Sequence, residues 1–248
     1  MNMAYVDNSL SDKHILITGA SSGIGRETAV VLSNSGAKLL LNGRKIAELE
    51  KTQQMLAGQG HHIIPADLSE INDMSFLFDS IVQTGGKLDG MVYCAGIIPV
   101  TPLRSLSIVK IEEAMRINFY AFVDMVRCYV KQKYSNGGSI IGISSIASVK
   151  PEKGQTAYAA TKAAMNTAIE VIAQEIAGKG IRINTVLPGV TRITSHDEAE
   201  NEQTIYPVER QILGLINPAD IGKMCRYLLS NEAKSITGRK FYIDGGLF

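Results

Sequence analysis

The sequence has no long apolar run, no excess of charge of one sign and few cysteines. Its 25 Lys and Arg residues nearly balance its 24 Asp and Glu residues, giving a formal net charge of +1, which argues against non-specific binding to nucleic acid or membrane surfaces. No apolar stretch approaches the roughly 20 residues of a membrane span, and the polar start at residues 1–8 lacks a signal-peptide core. We therefore expect a cytoplasmic protein that acts on small molecules, with neither nucleic acid nor membrane as a partner.

The three cysteines, Cys94, Cys128 and Cys225, are far apart and lack metal-ligand spacing. We expect buried free thiols, with no disulfide and no metal site. A chain of 248 residues with 45% hydrophobic content is long enough for one large α/β domain and short for two. The expected organisation is one domain over residues 1–248.

Apolar runs typical of buried strands alternate with helical patterns along the chain. This order predicts a doubly wound parallel sheet flanked by helices, with right-handed crossovers. The seven predicted strands lie at about residues 14–18, 37–42, 61–66, 88–94, 139–145, 180–190 and 238–246. Long helices are predicted over residues 107–134 and 156–178.

A glycine-rich turn follows the first predicted strand. Glycines at 19, 23 and 25 allow the backbone to turn tightly between strand and helix and to approach a pyrophosphate, which the helix N-terminus then faces with free N–H groups. An ordinary strand-to-helix turn is the alternative. The binding interpretation predicts a dinucleotide cofactor held by this loop.

The end of the second predicted strand indicates which dinucleotide binds. No acidic residue lies between Glu27 and Glu48, and Arg44 can offer its guanidinium to a phosphate. An acid in this region typically selects NAD, so its absence predicts a preference for NADP(H). Asp67, at the end of the third predicted strand, is expected either to face the adenine amine or to cap the next helix.

Tyr158 and Lys162 are four residues apart in a helical pattern, which places them on one face. A cation beside a phenol favours the phenolate, so the pair predicts a proton donor and acceptor. A solvated helix face is the alternative for an isolated pair. Asn118 interrupts the apolar face of the 107–134 pattern and marks either a structural water site or a proton relay.

Five motifs in order make the chain similar to the classical short-chain dehydrogenase/reductase family. They are TGASSGIG at 18–25, Asn118, the Ser145 region, YAATK at 158–162 and Pro-Gly at 188–189. The resemblance implies a single-domain Rossmann fold and commonly a homotetramer on the helices at 107–134 and 156–178, with a dimer as the alternative.

The same resemblance assigns roles to individual residues. Tyr158 would give or take the proton, Lys162 would lower the pKa of Tyr158 and bind the nicotinamide ribose, Ser145 would hold the substrate oxygen, and Asn118 would hold a water. Ser144 would support Ser145. The implied cofactor-binding residues are Gly19, Ser21, Ser22, Gly23, Ile24, Gly25, Arg44, Asp67, Leu68, Ala95, Gly96, Tyr158, Lys162, Pro188, Gly189, Val190 and Thr191.

Two positions depart from the family pattern. Ile193 stands where relatives commonly have a Thr, so Thr191 or Thr194 would have to replace that diphosphate contact. Tyr93 and Cys94 stand where the family usually has two Asn residues. Residues 195–216 are polar and weakly periodic, and we expect them to form a lid over the substrate, with Tyr206 and Leu213 as candidate contacts.

The function predicted from these features is interconversion of a ketone and a secondary alcohol with NADP(H), with 3-oxoacyl thioesters as one candidate substrate. Lys131, Lys133, Lys179 and Arg182 would suit an acidic carrier, although scattered solvated cations are the stronger interpretation. The alternative function is a cofactor-binding redox sensor or scaffold without turnover. A sugar-nucleotide epimerase or dehydratase is disfavoured because the chain has no room for a further substrate domain.

Overall fold

A single parallel β-sheet dominates the computed structural model, which describes residues 8–70, 74–192 and 208–247. Its strand order is β3-β2-β1-β4-β5-β6-β7. The strands are β1 His14–Thr18, β2 Lys38–Gly43, β3 His62–Pro65, β4 Leu88–Tyr93, β5 Ser135–Ile143, β6 Ile181–Pro188 and β7 Lys240–Ile243. All neighbouring pairs are parallel. The predicted seven-stranded α/β fold is therefore confirmed.

Helices cover both faces of the sheet. They are α1 Gly23–Ser33, α2 Ile46–Gln54, α3 Met74–Gly85, α4 Ile108–Met115, α5 Ala121–Tyr129, α6 Thr156–Ile176 and α7 Pro218–Leu229. Alternate residues of β1 enter opposite cores, because side chains along a strand alternate between faces. Leu16 packs in the core that contains Phe78 and Phe122, whereas Ile15 and Ile17 pack in the core under α1 and α7. No helix in the described part of the chain is long and apolar enough to cross a membrane.

The strand order reverses between β1 and β4. β1 pairs with β2 on one side and with β4 on the other, and Thr18 lies beside Tyr93 at the carboxyl ends of these strands. Such a switch point leaves a crevice between the loops that follow the two strands, and ligands of doubly wound sheets bind there.

The long helix predicted over residues 107–134 is interrupted. A π-helical turn over Arg116–Tyr120 separates α4 from α5, and α5 ends at Tyr129. Asn118 lies within this turn and is fully buried. The fifth strand begins at Ser135 and ends at Ile143, so Ser144 and Ser145 lie beyond its carboxyl end rather than inside it.

Candidate active site

The glycine-rich loop between β1 and α1 is shaped by close backbone contacts. Gly19 has φ +64°, and a Cβ added there would lie 2.9 Å from Ala95 N. A Cβ added to Gly25 would overlap the Gly19 carbonyl oxygen. Gly23, at φ +52°, faces open space, with nothing within 4 Å of an added Cβ. The loop is therefore closed on its protein side and open where α1 begins.

The N-terminus of α1 keeps its N–H groups available. Ser22 occupies the N-cap position without a side-chain cap hydrogen bond, and the first turn contains no acidic residue. Unpaired N–H groups and the positive end of the helix dipole suit an anion such as a pyrophosphate. The open space at Gly23 and this uncapped helix end fit the phosphates of a dinucleotide.

Side chains of α1 and α2 hold the glycine-rich loop in place, and the sequence analysis missed these residues. Arg26 donates to the Ser21 carbonyl oxygen, to Thr52 Oγ1 at 3.0 Å and to Glu48 Oε2 at 2.7 Å. Thr52 Oγ1 in turn donates to the Ala20 carbonyl oxygen at 2.9 Å. The carbonyl groups of the loop thus point toward side chains of α1 and α2.

Thr18 joins the two loops at the switch point. Its fully buried Oγ1 accepts hydrogen bonds from Cys94 N at 3.1 Å and Ala95 N at 3.0 Å. These N–H groups follow the last residue of β4. A threonine at the end of β1 therefore fixes the start of the Ala95–Gly96 segment.

A cleft of about 630 Å³ opens between these loops. The predicted cofactor residues that line it are Gly19, Ser21, Ser22, Gly23, Ile24, Gly25, Arg44, Asp67, Leu68, Ala95 and Gly96. The cleft is also lined by Glu113, Arg116 and Ile117, which the sequence analysis did not single out. Tyr158, Lys162 and residues 188–191 lie outside this lining.

Arg44 and Asp67 form an ion pair at the cleft, with 3.4 Å between Arg44 Nη1 and Asp67 Oδ2. Burial acts to raise the pKa of Asp67, but hydrogen bonds from the Ser69 hydroxyl and N–H, together with Arg44, hold it below its ordinary value. Because the Arg44 side chain is 67% exposed, this pair is weak and leaves the guanidinium able to reach a phosphate. α3 begins at Met74, so Asp67 is not its N-cap.

Tyr158 and Lys162 lie one turn apart near the start of α6, and both are buried. Lys162 Nζ donates to the Ile143 carbonyl oxygen at 2.8 Å and lies 5.9 Å from the centre of the Tyr158 ring. Burial lowers the pKa of Lys162 to about 8. Burial also raises the pKa of Tyr158, and a hydrogen bond with the Ser145 hydroxyl opposes that rise. This direction is opposite to the one expected from the Tyr–Lys spacing, because desolvation of the buried phenol is the largest effect on its pKa.

Ser145 faces Tyr158 from the loop after β5. Its Oγ accepts from Ala147 N at 3.1 Å, which begins a short 3₁₀ turn. Ser144 points the other way, with its hydroxyl donating to the Lys162 carbonyl oxygen at 3.2 Å. Ser144 thus ties the loop to α6, while Ser145 is the serine that contacts the tyrosine.

Two further residues hold this loop, and the sequence analysis missed both. Ser148 donates to the Ser145 carbonyl oxygen at 2.6 Å, and Asn166 Nδ2 donates to Ser148 Oγ at 2.7 Å. Asn166 comes four residues after Lys162 on α6. Continuing the four-residue spacing from Tyr158 and Lys162 was the signal that would have found it.

Asn118 links the cleft to α6. Its Oδ1 accepts from Ile97 N at 2.9 Å, and its Nδ2 donates to the Ile97 carbonyl oxygen and to Thr161 Oγ1, each at 3.0 Å. A Cβ added to Gly96 would lie 2.9 Å from Asn118 Oδ1 and 3.6 Å from Lys162 Nζ. Gly96, Asn118 and Lys162 are therefore brought together, and both amide hydrogens of Asn118 already have protein acceptors.

The Tyr93-Cys94 departure is accommodated by packing. The Tyr93 hydroxyl donates to the Ile117 carbonyl oxygen, and its ring meets Phe122 edge-on at 5.4 Å. Tyr93 thereby braces β4 against the π-helical turn. Cys94 is a half-buried free thiol at the cleft, whereas Cys128 and Cys225 are buried. Burial raises the pKa of Cys94 to about 12, with Lys162 opposing the rise.

The Pro188–Gly189 turn is held by the segment that precedes α7. Gln211 accepts from Val190 N at 2.7 Å and donates to the Val190 carbonyl oxygen at 3.0 Å. Thr191 Oγ1 donates to the Gly189 carbonyl oxygen at 3.1 Å. Residues 193–207, which include Thr194, Tyr206 and the first part of the expected 195–216 lid, lie outside the described residues. Within residues 8–70, 74–192 and 208–247, no cluster of His, Cys, Asp and Glu is suited to a metal ion.

Comparison with known proteins identifies the family. A family model described as enoyl-(acyl carrier protein) reductase matches residues 19–248. The L-rhamnose 1-dehydrogenase (NAD(P)(+)) of Sphingomonas sp. (strain SKA58) is 31% identical over 252 residues, covering 96% of this chain and 97% of that protein. This chain belongs to the short-chain dehydrogenase/reductase family.

Other members of the short-chain dehydrogenase/reductase family show how widely its substrates vary. A glucose 1-dehydrogenase of Gluconobacter oxydans (strain 621H) is 32% identical, covering 100% of this chain and 96% of that protein. A solved structure provisionally assigned as a short-chain alcohol dehydrogenase from Sinorhizobium meliloti 1021 superimposes with a TM-score of 0.88 at 25% identity, covering 96% of this chain and 97% of the other. Membership therefore identifies an oxidoreductase that acts on CH–OH or C=O groups.

Proposed function

We propose that this protein is an NADP(H)-dependent oxidoreductase that interconverts a ketone and a secondary alcohol. The observation that carries the proposal is that a cleft suited to a dinucleotide and a hydrogen-bonded Ser–Tyr pair lie at the same edge of the sheet. An open glycine-rich cleft with Arg44 at its rim lies on one side, and the hydrogen-bonded pair of Ser145 and Tyr158 lies on the other. Lys162, near Gly96, connects the two.

The bound dinucleotide supplies or accepts the hydride. In our proposal the glycine-rich loop and the N-terminus of α1 hold its phosphates, and Arg44 pairs with the 2′-phosphate. Ala95, Gly96, Lys162 and residues 188–191 complete the binding surface.

Proton transfer is assigned to Tyr158. In reduction, its hydroxyl donates a proton to the carbonyl oxygen, and the Ser145 hydroxyl donates a hydrogen bond to the same oxygen as negative charge develops. Since burial raises the pKa of Tyr158, the phenol is held in its protonated form, which suits the reductive direction. The Lys162 ammonium stabilises the phenolate that remains, and Asn118 keeps Ile97 and α6 in place beside it.

We propose that residues 1–248 form one domain, that residues 195–216 form a substrate lid, and that the protein is cytoplasmic. Its free cysteines suit a reducing compartment.

We also propose a homotetramer, supported by exposed apolar side chains on α4 and α6, such as Ile108, Val109 and Val171. Sedimentation analysis distinguishes a tetramer from a dimer.

The test is consumption of NADPH, with NADH in parallel, against a panel of 3-oxoacyl thioesters, keto-sugars, ketosteroids and simple ketones. Tyr158→Phe is expected to lower kcat by at least about 100-fold, as for loss of a general acid, while leaving NADPH affinity nearly unchanged. Tyr242→Phe, at an exposed position on β7, is the matched control and should retain full activity. Full turnover by Tyr158→Phe contradicts the proposal, and NADPH binding without reduction of any carbonyl favours the sensor alternative.

A further inference from the structure

Three segments border the candidate site, and the first of them also lines the cofactor cleft through Ile97 and Ile98. The 97–103 segment starts at Ile97, which Asn118 holds beside Lys162. The 146–155 segment connects Ser145 to the start of α6. The 208–216 segment is fixed to Val190 by Gln211. We call these three segments the rim.

The rim segments contact one another. Thr101 N donates to the Gly154 carbonyl oxygen at 2.8 Å, which joins the first segment to the second. Arg210 pairs with Glu152 at 3.0 Å, which joins the second to the third. The rim is therefore a continuous surface that follows the catalytic serine and tyrosine.

Exposed side chains of the rim are largely apolar. Large hydrophobic residues reach solvent from all three segments, among them Val100, Leu103, Val149, Ile212 and Leu213. An exposed apolar surface beside a site marks a place where an apolar ligand or partner binds and covers that surface. The rim offers such a surface, and its second segment begins directly after Ser145.

Several polar groups of the rim are already used by the protein. Glu152 pairs with Arg210, and Lys150 Nζ donates to the Leu247 carbonyl oxygen. Gln155 accepts from Glu152 N, while Gln211 binds both backbone groups of Val190. Among the described residues of the rim, a sugar with several hydroxyl groups would find few partners besides the exposed Lys153 and Glu209, and each buried hydroxyl left unpaired weakens binding.

We propose that the substrate is a ketone or secondary alcohol whose body is predominantly apolar, rather than a free sugar or polyol. This inference rests on the proposed oxidoreductase function and narrows it. It separates this chain from the rhamnose and glucose dehydrogenases to which it is similar. The oxygen is held by Ser145 and Tyr158, and the apolar body of the substrate lies against the rim.

The experiment compares kcat/KM for 2-alkanones of four to ten carbons with kcat/KM for oxidation of glucose and L-rhamnose. Burying one methylene group is worth about 0.8 kcal/mol, so kcat/KM should rise about 3- to 4-fold per carbon until the rim is covered. In Val100→Asn, kcat/KM should increase less with each added carbon. Phe76→Asn, an equally drastic change at an exposed position on α3, should leave the rise intact.

The possible results distinguish failure of the apolar-substrate inference from failure of the proposed oxidoreductase function. Turnover of the sugars at equal or higher kcat/KM keeps the oxidoreductase function and overturns the apolar-substrate inference, as does a flat response to chain length. Absence of any turnover with NADPH bound overturns the function and the inference together. If Val100→Asn dissociates the protein into smaller species in sedimentation analysis, the rim is a subunit interface and the inference is likewise overturned.

Discussion

Thr18→Val is the substitution whose effect the structure defines most directly. Valine has nearly the shape of threonine, but it removes the oxygen that accepts from Cys94 N and Ala95 N. Thr18 is fully buried, so water cannot replace the lost acceptor without entering the core. Two backbone N–H groups would remain unpaired at the point where β4 turns toward the cofactor cleft.

The expected loss in the free energy of unfolding follows from the number of backbone N–H groups left without an acceptor. A buried hydrogen-bonding group left without its partner costs about 1–3 kcal/mol, so two give a loss of at least about 2 kcal/mol in the free energy of unfolding. For a chain of this size, such a loss lowers Tm by roughly 4–8 °C. Because Ala95 lines the cleft, we also expect NADPH affinity to fall at least about fivefold, which corresponds to about 1 kcal/mol.

Calorimetry at one fixed protein concentration measures the stability, and titration with NADPH measures the affinity. Thr18→Ser keeps the hydroxyl and is the control, so it should lose far less of either. If Thr18→Val melts within about 1 °C of the unmodified protein, the two hydrogen bonds do not carry the stability assigned to them. In that case Thr18 does not fix the loop after β4.

Three other predictions test the cofactor site. Arg44→Asp should shift preference from NADPH toward NADH by about 10- to 100-fold, the value of a hydrogen bond to a charged group, and unchanged relative Kd values would contradict the role of Arg44. Gly25→Ala should destabilise the protein by about 1–3 kcal/mol, because its Cβ would overlap the Gly19 carbonyl oxygen, whereas Gly178→Ala, which meets nothing within 4 Å, is the control in the same urea titration. Burial places the pKa of Lys162 at about 8, below its ordinary 10.5, so the unfolded chain binds more protons between these values and stability should rise with pH there. Because the raised pKa of Cys94 acts in the opposite direction, urea unfolding should show the Lys162 contribution as a rise with pH in the stability difference between the unmodified protein and Lys162→Met, and parallel pH profiles would refute the assignment.

Local signals were sufficient for several parts of the site. β1 has its predicted bounds, His14–Thr18, because an apolar run that ends in a glycine turn leaves little choice of boundary. The four-residue spacing of Tyr158 and Lys162 likewise placed both on one face of α6. Such features depend on neighbours in sequence, so the sequence displays them.

Features that depend on distant contacts could not be predicted. The π-helical turn places Asn118 against Ile97 and Thr161, and nothing within residues 107–134 specifies either partner. The direction of the pKa change at Tyr158 depends on how much surrounding structure buries the phenol, which spacing does not reveal. From the sequence, Thr18 could be interpreted only as the last residue of a strand. The N–H group whose hydrogen bond it accepts belongs to Cys94, 76 residues further along the chain.

The bracing of the glycine-rich loop by α2 has a consequence for changing the cofactor preference of this protein. α2 begins two residues after Arg44 and carries Glu48 and Thr52, whose contacts hold Arg26 and the Ala20 carbonyl oxygen in place. A substitution near Arg44 that tilts α2 would loosen the phosphate loop as well as alter the ribose contact. In the proposed cofactor site, selectivity for the 2′-phosphate and affinity for the pyrophosphate would therefore be linked through α2, and redesign of one would require changes that keep α2 in register with the loop.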